Sequence, residues 1–240
     1  MTAMPDTREF YEAGYALADP AEAERMGRWR AIGARSKGAH VRTLCRRAGL
    51  TPATIVEIGC GDGSLLVELS ALAAVDGFEL SANEAGYARE RGVARKVEAF
   101  DGEHVPARDD EYDLVVLSHV LEHVPDPLPL LKEAARVARH VIVEVPLEDN
   151  RSARRPPKRA LSEAAGHLHA FGRADVRRLV REAGLEPAEE LTDPLSYEHL
   201  SFFSGPAKGA VKWATRAALH RIGAAERLFT VHYAVLARRV

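Results

Sequence analysis

Three groups of residues in this chain have the types and spacing to do chemistry. The first is His119-Val120-Leu121-Glu122-His123. An imidazole changes charge near neutral pH, so either histidine can take a proton from a nucleophile. Two histidines and a carboxylate are also a zinc donor set, and the letters match an inverted zinc-protease pattern, which requires a helix and a hydrolase fold. A plain structural turn is the third reading. The second group is Gly59, Gly61 and Gly63, alternating with Cys60 and Asp62 after Glu57-Ile58. Glycine admits backbone angles closed to other residues and takes side chains out of a ligand's path. The third group is acidic: Glu79, twenty residues past Gly59, and the pair Asp101-Gly102.

The elements around these residues decide among the readings. A β-branched run, Ile55-Val56-Glu57-Ile58, enters the glycine turn, and an apolar helical pattern leaves it from Ser64 to about Ala73. The opening turn of such a helix presents unpaired N–H groups at the carboxyl end of the strand. A nucleotide-like ligand therefore lies across the turn, although glycine-rich turns also occur for structural reasons alone. The dinucleotide spacing Gly-x-Gly-x-x-Gly fails here, because its third glycine falls on Leu66 or on Ser64. Val75 to Leu80 reads as the second strand, ending at Glu79 and Leu80. A carboxylate there can accept two ribose hydroxyls; the competing reading is a helix N-terminal acid beside a Ser81 cap. Helix Ala82–Arg91 and strand Lys96–Phe100 lead to Asp101-Gly102, a pair that is also simply a common turn. Tyr112–Ser118 is the clearest strand, followed by a helix from about Leu128 to Ala138 and a strand from Val141 to Val145.

The spacing Glu57-x-Gly59-x-Gly61-x-Gly63, then Tyr112-Asp113-Leu114-Val115-Val116 and Leu121-Glu122-His123-Val124-Pro125-Asp126-Pro127, resembles the class I S-adenosylmethionine-dependent methyltransferases, in their small-molecule, type 11-like branch. The resemblance covers roughly residues 51–194. It implies an α/β Rossmann-like fold: a seven-stranded, mostly parallel sheet, helices on both faces, an antiparallel last strand and an N-terminal helical lid. It implies S-adenosylmethionine as cofactor and S-adenosylhomocysteine as product. Glu57, Gly59, Cys60, Gly61, Gly63, Glu79, Leu80, Asp101, Gly102, Ser118 and His119 are the implied cofactor residues, Asp101 accepting from the adenine amino group. Ser118, His119 and His123 are expected near the transferred methyl, with His123, His119 and His169 as candidate bases. Some relatives hold magnesium with Glu-x-x-Glu-His at this place. His119 stands where the first glutamate would, so no metal is expected, magnesium being a hard ion that prefers oxygen.

Outside the core the chain is less explicit. Residues 7–49 read as two or three helices, with Asp19-Pro20 as a cap and first-turn proline. Between Arg25 and Arg47 there are eight basic residues and no acidic one. That is a solvated basic face or a funnel for an anionic substrate. The resemblance makes this region a lid, in which Tyr11, Tyr15 and Trp29 touch ligand or pack against the core. Arg151 to Arg159 reads as a long, mobile basic loop or a solvated linker. Gly166–Phe171 carries His169 beside the expected substrate pocket, followed by helix Arg173–Ala183 and a strand from Glu186 to Leu191. An insertion follows, with Tyr197, Phe202 and a basic amphipathic helix near Ala207–Arg221, read as a substrate lid or a packing surface. Leu228 to Leu236 is the last strand. The domain reading is lid 1–50, core 51–194, helical insertion 195–227 and final strand 228–240. Tyr11, Tyr15, Arg151, His169, Tyr197 and Phe202 are the candidate acceptor contacts.

Composition bounds the function. A chain of 240 residues fits one large α/β domain with appendages. A net charge of −2 offers no general attraction to nucleic acid or membrane. Two cysteines suit a reducing cytoplasm, and the polar Met1–Phe10 has no apolar signal core. The expectation is a methyltransferase of a small-molecule acceptor bearing phosphate or carboxylate. O-methylation in a biosynthetic pathway comes first, with N- or C-methylation, RNA methylation and a non-catalytic cofactor-binding partner as alternatives. An NAD-dependent oxidoreductase is a further rival. No nucleic-acid or membrane partner is expected, and the chain is read as monomer or homodimer.

Overall fold

The structure, a computed structural model, describes residues 20–240. Tyr11, Tyr15 and the cap position Asp19 lie outside the described residues. Helix α1 (Pro20–Ala48) leads into β1 (Thr54–Ile58), α2 (Ser64–Leu69), β2 (Ala74–Glu79), α3 (Ala82–Glu90), β3 (Lys96–Ala99) and β4 (Tyr112–Ser118). A single 3-10 turn at Leu121–His123 precedes α4 (Pro127–Val137) and β5 (Ala138–Leu147). Then follow α5 (Pro156–Ala164), α6 (Arg173–Glu182), β6 (Leu185–Asp193), α7 (Tyr197–Ser204), α8 (Pro206–Arg221), α9 (Ala225–Leu228) and β7 (Val231–Arg239).

The seven strands form one sheet in the order β3-β2-β1-β4-β5-β7-β6. Neighbours from β3 through β5 pair in parallel, and β7 runs antiparallel to both β5 and β6. The strand order therefore reverses between β1 and β4, and ligands of open α/β sheets bind outside the carboxyl ends at such a point. Side-chain alternation divides the core between the two faces. Val115 and Leu117 of β4 join one buried cluster with α4 and α6, while Leu114 and Val116 join another with α1, α2 and α3. Asp126 caps α4 by accepting from the Leu128 N–H, with Pro127 in its first turn. That helix buries Leu130, Leu131, Ala134, Ala135 and Val137 along one stripe.

Several elements differ from the sequence expectation. Residues 20–48 are one continuous helix, positions 7–19 of the expected helical stretch lying outside the described residues, and its later half is core: Ala34, Val41, Leu44 and Cys45 recur at helical spacing and are buried against the sheet. A Cβ on Gly38 would come within 2.7 Å of Glu68 Cβ, so a glycine there lets α1 and α2 approach closely. Helix α2 stops at Leu69, short of Ala73. The expected loop at 151–159 is partly helical, because Pro156 and Pro157 sit in the first turn of α5, where a missing N–H costs nothing. Leu228 ends α9 instead of opening the last strand, which begins at Val231. The insertion holds a second helix, α7, capped by Ser196 on the His199 N–H. Pro187 is accommodated on edge strand β6 beside a register shift. Among the described residues no helix is long and apolar enough to cross a membrane.

Candidate active site

The glycine turn follows the buried end of β1. Gly59, Gly61 and Gly63 have φ of 77°, 52° and 75°, the left-handed region that disfavours other residues. Each has a separate reason to lack a side chain. A Cβ on Gly59 would come within 2.5 Å of Val120 Cγ2, in the turn after β4. A Cβ on Gly63 would press on Ala88 Cα at 2.9 Å, so that glycine serves the contact between α2 and α3. A Cβ on Gly61 would meet nothing within 4 Å and would stand in open space.

Glu79 ends β2 almost fully buried and holds this turn in shape. Its Oε2 accepts the Gly61 N–H at 2.8 Å and its Oε1 accepts the Ser81 N–H at 3.0 Å. A carboxylate has about four acceptor positions, so two remain for hydroxyls of a ligand. Ser81 also caps α3 by accepting from the Glu84 N–H. The Ser81 cap weighed in the sequence is present two residues past Glu79.

Gly59, Gly61, Glu79, Leu80, Gly102, His119 and His123 line one open cleft at the switch between β1 and β4. Glu84, Phe100, Val120, Val124 and Leu130 complete its walls and were not singled out from the sequence. Glu84 carried a weak signal as an acid in the first turn of the helix after Glu79. The apolar four carried none, since any core position reads the same way. Burial pushes the Glu84 carboxyl up to about 7, against the pull of Arg30, with Asp62 and Glu79 adding to the rise.

Other expected cofactor residues stand behind this wall. Glu57 and Cys60 are buried, and burial raises both well above their ordinary values. Ser118, the last residue of β4, is likewise buried. Asp101 is exposed; its Oδ1 accepts the N–H groups of Glu103 and His104, at 2.8 and 2.7 Å, and so shapes the turn that presents Gly102.

The histidines occupy distinct positions. His123 Nδ1 lies 3.1 Å from the Gly166 carbonyl, which can only accept, so Nδ1 carries the hydrogen. Burial lowers the His123 pKa, opposed by the Glu122 charge, so the ring is neutral at pH 7 and Nε2 is its basic nitrogen. His169 donates from Nε2 to the Val124 carbonyl at 2.8 Å and stacks on Phe171; it braces the turn and does not line the cleft. His119 has a left-handed backbone, φ 59°, a strained conformation for a non-glycine residue. Its Nδ1 stands 3.3 Å from Glu122 Oε1, and its ring meets His232 edge-on at 4.4 Å. Burial of Glu122 favours its neutral form, yet His119 and His123 hold it down to about 2.

Among the described residues, the expected acceptor contacts Arg151, His169, Tyr197 and Phe202 do not line this cleft. Arg151 donates its backbone N–H to the Arg227 carbonyl on the exposed surface. Tyr197 and Phe202 lie on α7, which packs on α1 through Trp29, His199 and Phe203. Many of the basic side chains are paired: Arg35 with Glu198, Arg42 with Glu68, Arg154 with Asp149 and Arg159 with Glu163.

Comparison with known proteins supplies the context. A family model described as a methyltransferase domain matches residues 26–190. Ubiquinone biosynthesis O-methyltransferase of Thiobacillus denitrificans is 30% identical over 168 residues, covering 63% of this chain and 72% of that one. The enzyme of the same description from Aromatoleum aromaticum is 31% identical over 139 residues, 51% of this chain and 59% of the relative. With that relative and the one from Aeromonas salmonicida, matched over 42% of its length, the chain spans about half of the curated protein. Among solved structures, an S-adenosylmethionine-dependent methyltransferase of Thermotoga maritima superposes with a TM-score of 0.67 at 21% identity, over 98% of this chain and 100% of that one. Magnesium protoporphyrin IX methyltransferase of Synechocystis PCC 6803, with bound S-adenosylhomocysteine, gives 0.60 at 16% identity over 97% and 98%. At these identities the likeness is one of fold.

Proposed function

Because the chain belongs to the methyltransferase domain family, we propose that its cleft binds S-adenosylmethionine and serves methyl transfer to a nucleophilic oxygen of a small-molecule acceptor. The observation that carries this is convergence. The left-handed turn at Gly59 and Gly61, the Glu79 carboxylate and His123 line one cleft at the sheet's switch point. S-Adenosylmethionine supplies a methyl already activated by its sulfonium, so the transfer as such is complete without a metal.

The residues then align, exclude water and move a proton. Gly61 leaves open space where a methionine tail can pass. Glu79 offers its spare acceptor positions to the ribose, and Leu80, Phe100 and Gly102 form an apolar slot for the adenine, with Asp101 shaping the turn beside it. Val120, Val124 and Leu130 keep water from the transfer path. His123, held by the Gly166 carbonyl with Nε2 basic, removes the proton from the acceptor hydroxyl. His119 walls the cleft, and His169 positions the turn that carries His123. Oxygen is preferred over nitrogen or carbon because the relatives named above are O-methyltransferases. Part of the basic charge is already paired with acids, at Arg35, Arg42, Arg154 and Arg159, so a phosphate or carboxylate on the acceptor is a secondary expectation. Residues 195–227 and the early part of α1 are the proposed acceptor lid. Two buried free cysteines suit a reducing cytoplasm.

Calorimetry with S-adenosylmethionine and S-adenosylhomocysteine, followed by mass spectrometry of a panel of phenolic and amine acceptors, tests the proposal. Saturable binding of both, with transfer to phenolic oxygen, is expected. No binding at millimolar cofactor refutes the reading. Binding with no transfer to any acceptor would favour a non-catalytic, cofactor-binding partner.

A further inference from the structure

Next to the cleft, three polar atoms converge without hydrogen-bond partners. His119 Nε2, Glu144 Oε1 and His232 Nδ1 are each buried and unpaired. They lie within 4.8 Å of one another, with Glu144 Oε1 at 3.4 Å from His232 Nδ1 and 3.8 Å from His119 Nε2. Glu144 and His232 are 1% and 8% exposed. Burying one such group unsatisfied costs about 1–3 kcal/mol, and three at one point is an unusual concentration.

We propose that His119, Glu144 and His232 bind a divalent transition-metal ion of the zinc class. Ligands 2.0–2.1 Å from a tetrahedral ion stand about 3.3 Å apart, close to the two contacts made by Glu144 Oε1. One ion would satisfy all three atoms. Protons do this poorly, since one separation exceeds hydrogen-bond reach and the other is misaligned. The second shell is in place as well. Glu144 Oε2 lies 3.2 Å from His40 Nδ1, whose other nitrogen is 3.2 Å from Asp193 Oδ2. His119 Nδ1 faces Glu122 Oε1 at 3.3 Å, the carboxylate–histidine arrangement that fixes a ligating ring. The three ligands come from the adjacent strands β5 and β7 and from the residue following β4, so the framework is rigid. Ser118 pairs with Glu144 across β4 and β5, and Pro146 pairs with His232 across β5 and β7.

Two imidazoles and one carboxylate select zinc, cobalt or ferrous iron over magnesium and calcium, which want oxygen shells. This donor set differs from the oxygen-rich one that magnesium would require. A neighbouring group, Glu122, His123 and His167, also has ligand atoms within 4.8 Å. In that group only Glu122 contributes buried, unpaired polar atoms, whereas all three members of the first group do.

The test uses the full chain stripped with EDTA and titrated with Zn2+, then with Co2+, by calorimetry and absorption. One equivalent should bind, with the ligand-field bands of imidazole-bound cobalt, and a large excess of Mg2+ should not displace it. His119→Ala and His232→Ala should each weaken Zn2+ binding by roughly 100-fold or more, whereas His167→Ala should leave it unchanged. Folding of each variant is checked by circular dichroism. X-ray absorption on the cobalt-loaded wild type gives a readout free of any variant: imidazole scattering supports the site, and its absence overturns it. No Zn2+ binding by the wild type, or binding lost in His167→Ala but kept in both other variants, also overturns it. Metal binding requires no methyl donor, so this outcome is separable from the proposed transfer activity.

Discussion

Substitution of Glu79 tests the cofactor reading most directly, because the structure gives that carboxylate two separable duties. Its oxygens accept the backbone N–H groups of Gly61 and Ser81 at 2.8 and 3.0 Å, which shapes the glycine turn. Its remaining acceptor positions are those proposed for ribose. Glu79→Ala strands one part-buried donor, at Gly61, and one buried donor, at Ser81, each costing about 1–3 kcal/mol. Water entering the vacated space recovers some of that, so a loss of about 2–4 kcal/mol of stability is expected. For a domain of this size that corresponds to roughly 4–16 °C in Tm. Cofactor affinity falls separately through the lost charge-assisted bonds, by about 1–3 kcal/mol, or roughly 5- to 150-fold in Kd. Glu79→Gln keeps a carbonyl oxygen for one N–H, so it should recover about half of the stability while remaining weak toward cofactor. Differential scanning calorimetry and titration calorimetry with S-adenosylhomocysteine provide the two readouts. If Glu79→Gln binds cofactor like wild type, the ribose assignment is wrong and Glu79 is a structural clamp only.

The remaining predictions concern neighbouring positions. Gly63→Ala should lower stability by about 1–3 kcal/mol, through the clash with Ala88 and the left-handed φ; Gly61→Ala, which meets no neighbour, should weaken cofactor binding more than it lowers Tm. His123→Ala should reduce the single-turnover rate by roughly 10²–10⁴ with cofactor affinity retained, and a wild-type rate would remove it from the chemistry. Glu84 gives a pH signature. Its carboxyl rises from 4.5 to about 7 in the fold, so the folded state holds the proton more tightly than the unfolded chain. Its contribution is therefore fully present below about pH 4.5 and lost as pH rises through 7. Full conversion of that rise is about 3 kcal/mol, and water at the cleft screens it to about 1–2 kcal/mol. Glu84→Gln should thus be more stable than wild type at pH 8 and not at pH 5; equal urea midpoints at pH 8 would contradict the burial argument.

What the sequence determined by itself was mostly local. Glycine spacing, the β-branched run before it and the acid ending the next strand are short-range signals. The physics behind them, left-handed backbone and strand alternation, acts within a few residues. They mark the turn at Gly59 and Gly61 and the acid Glu79, while Leu80, Gly102, His119 and His123 entered through the family resemblance; all seven line the one cleft. The same signals could not say that Gly63 packs on Ala88 while Gly61 faces open space, because both satisfy the same turn. Nor could they separate the roles of the histidines. Which ring nitrogen of His123 and of His169 carries the hydrogen depends on which carbonyl each ring meets, Gly166 or Val124, and those contacts join segments more than forty residues apart. The extreme case is the cluster of His119, Glu144, His232 and His40. In the sequence Glu144 is one acid in an apolar strand, His232 is polar in a final strand and His40 is one residue on a basic helix. Only the sheet order, with β5 between β4 and β7 and α1 laid across them, brings their atoms within a few ångströms. A burial that costs free energy without partners then becomes a reason to look for an ion.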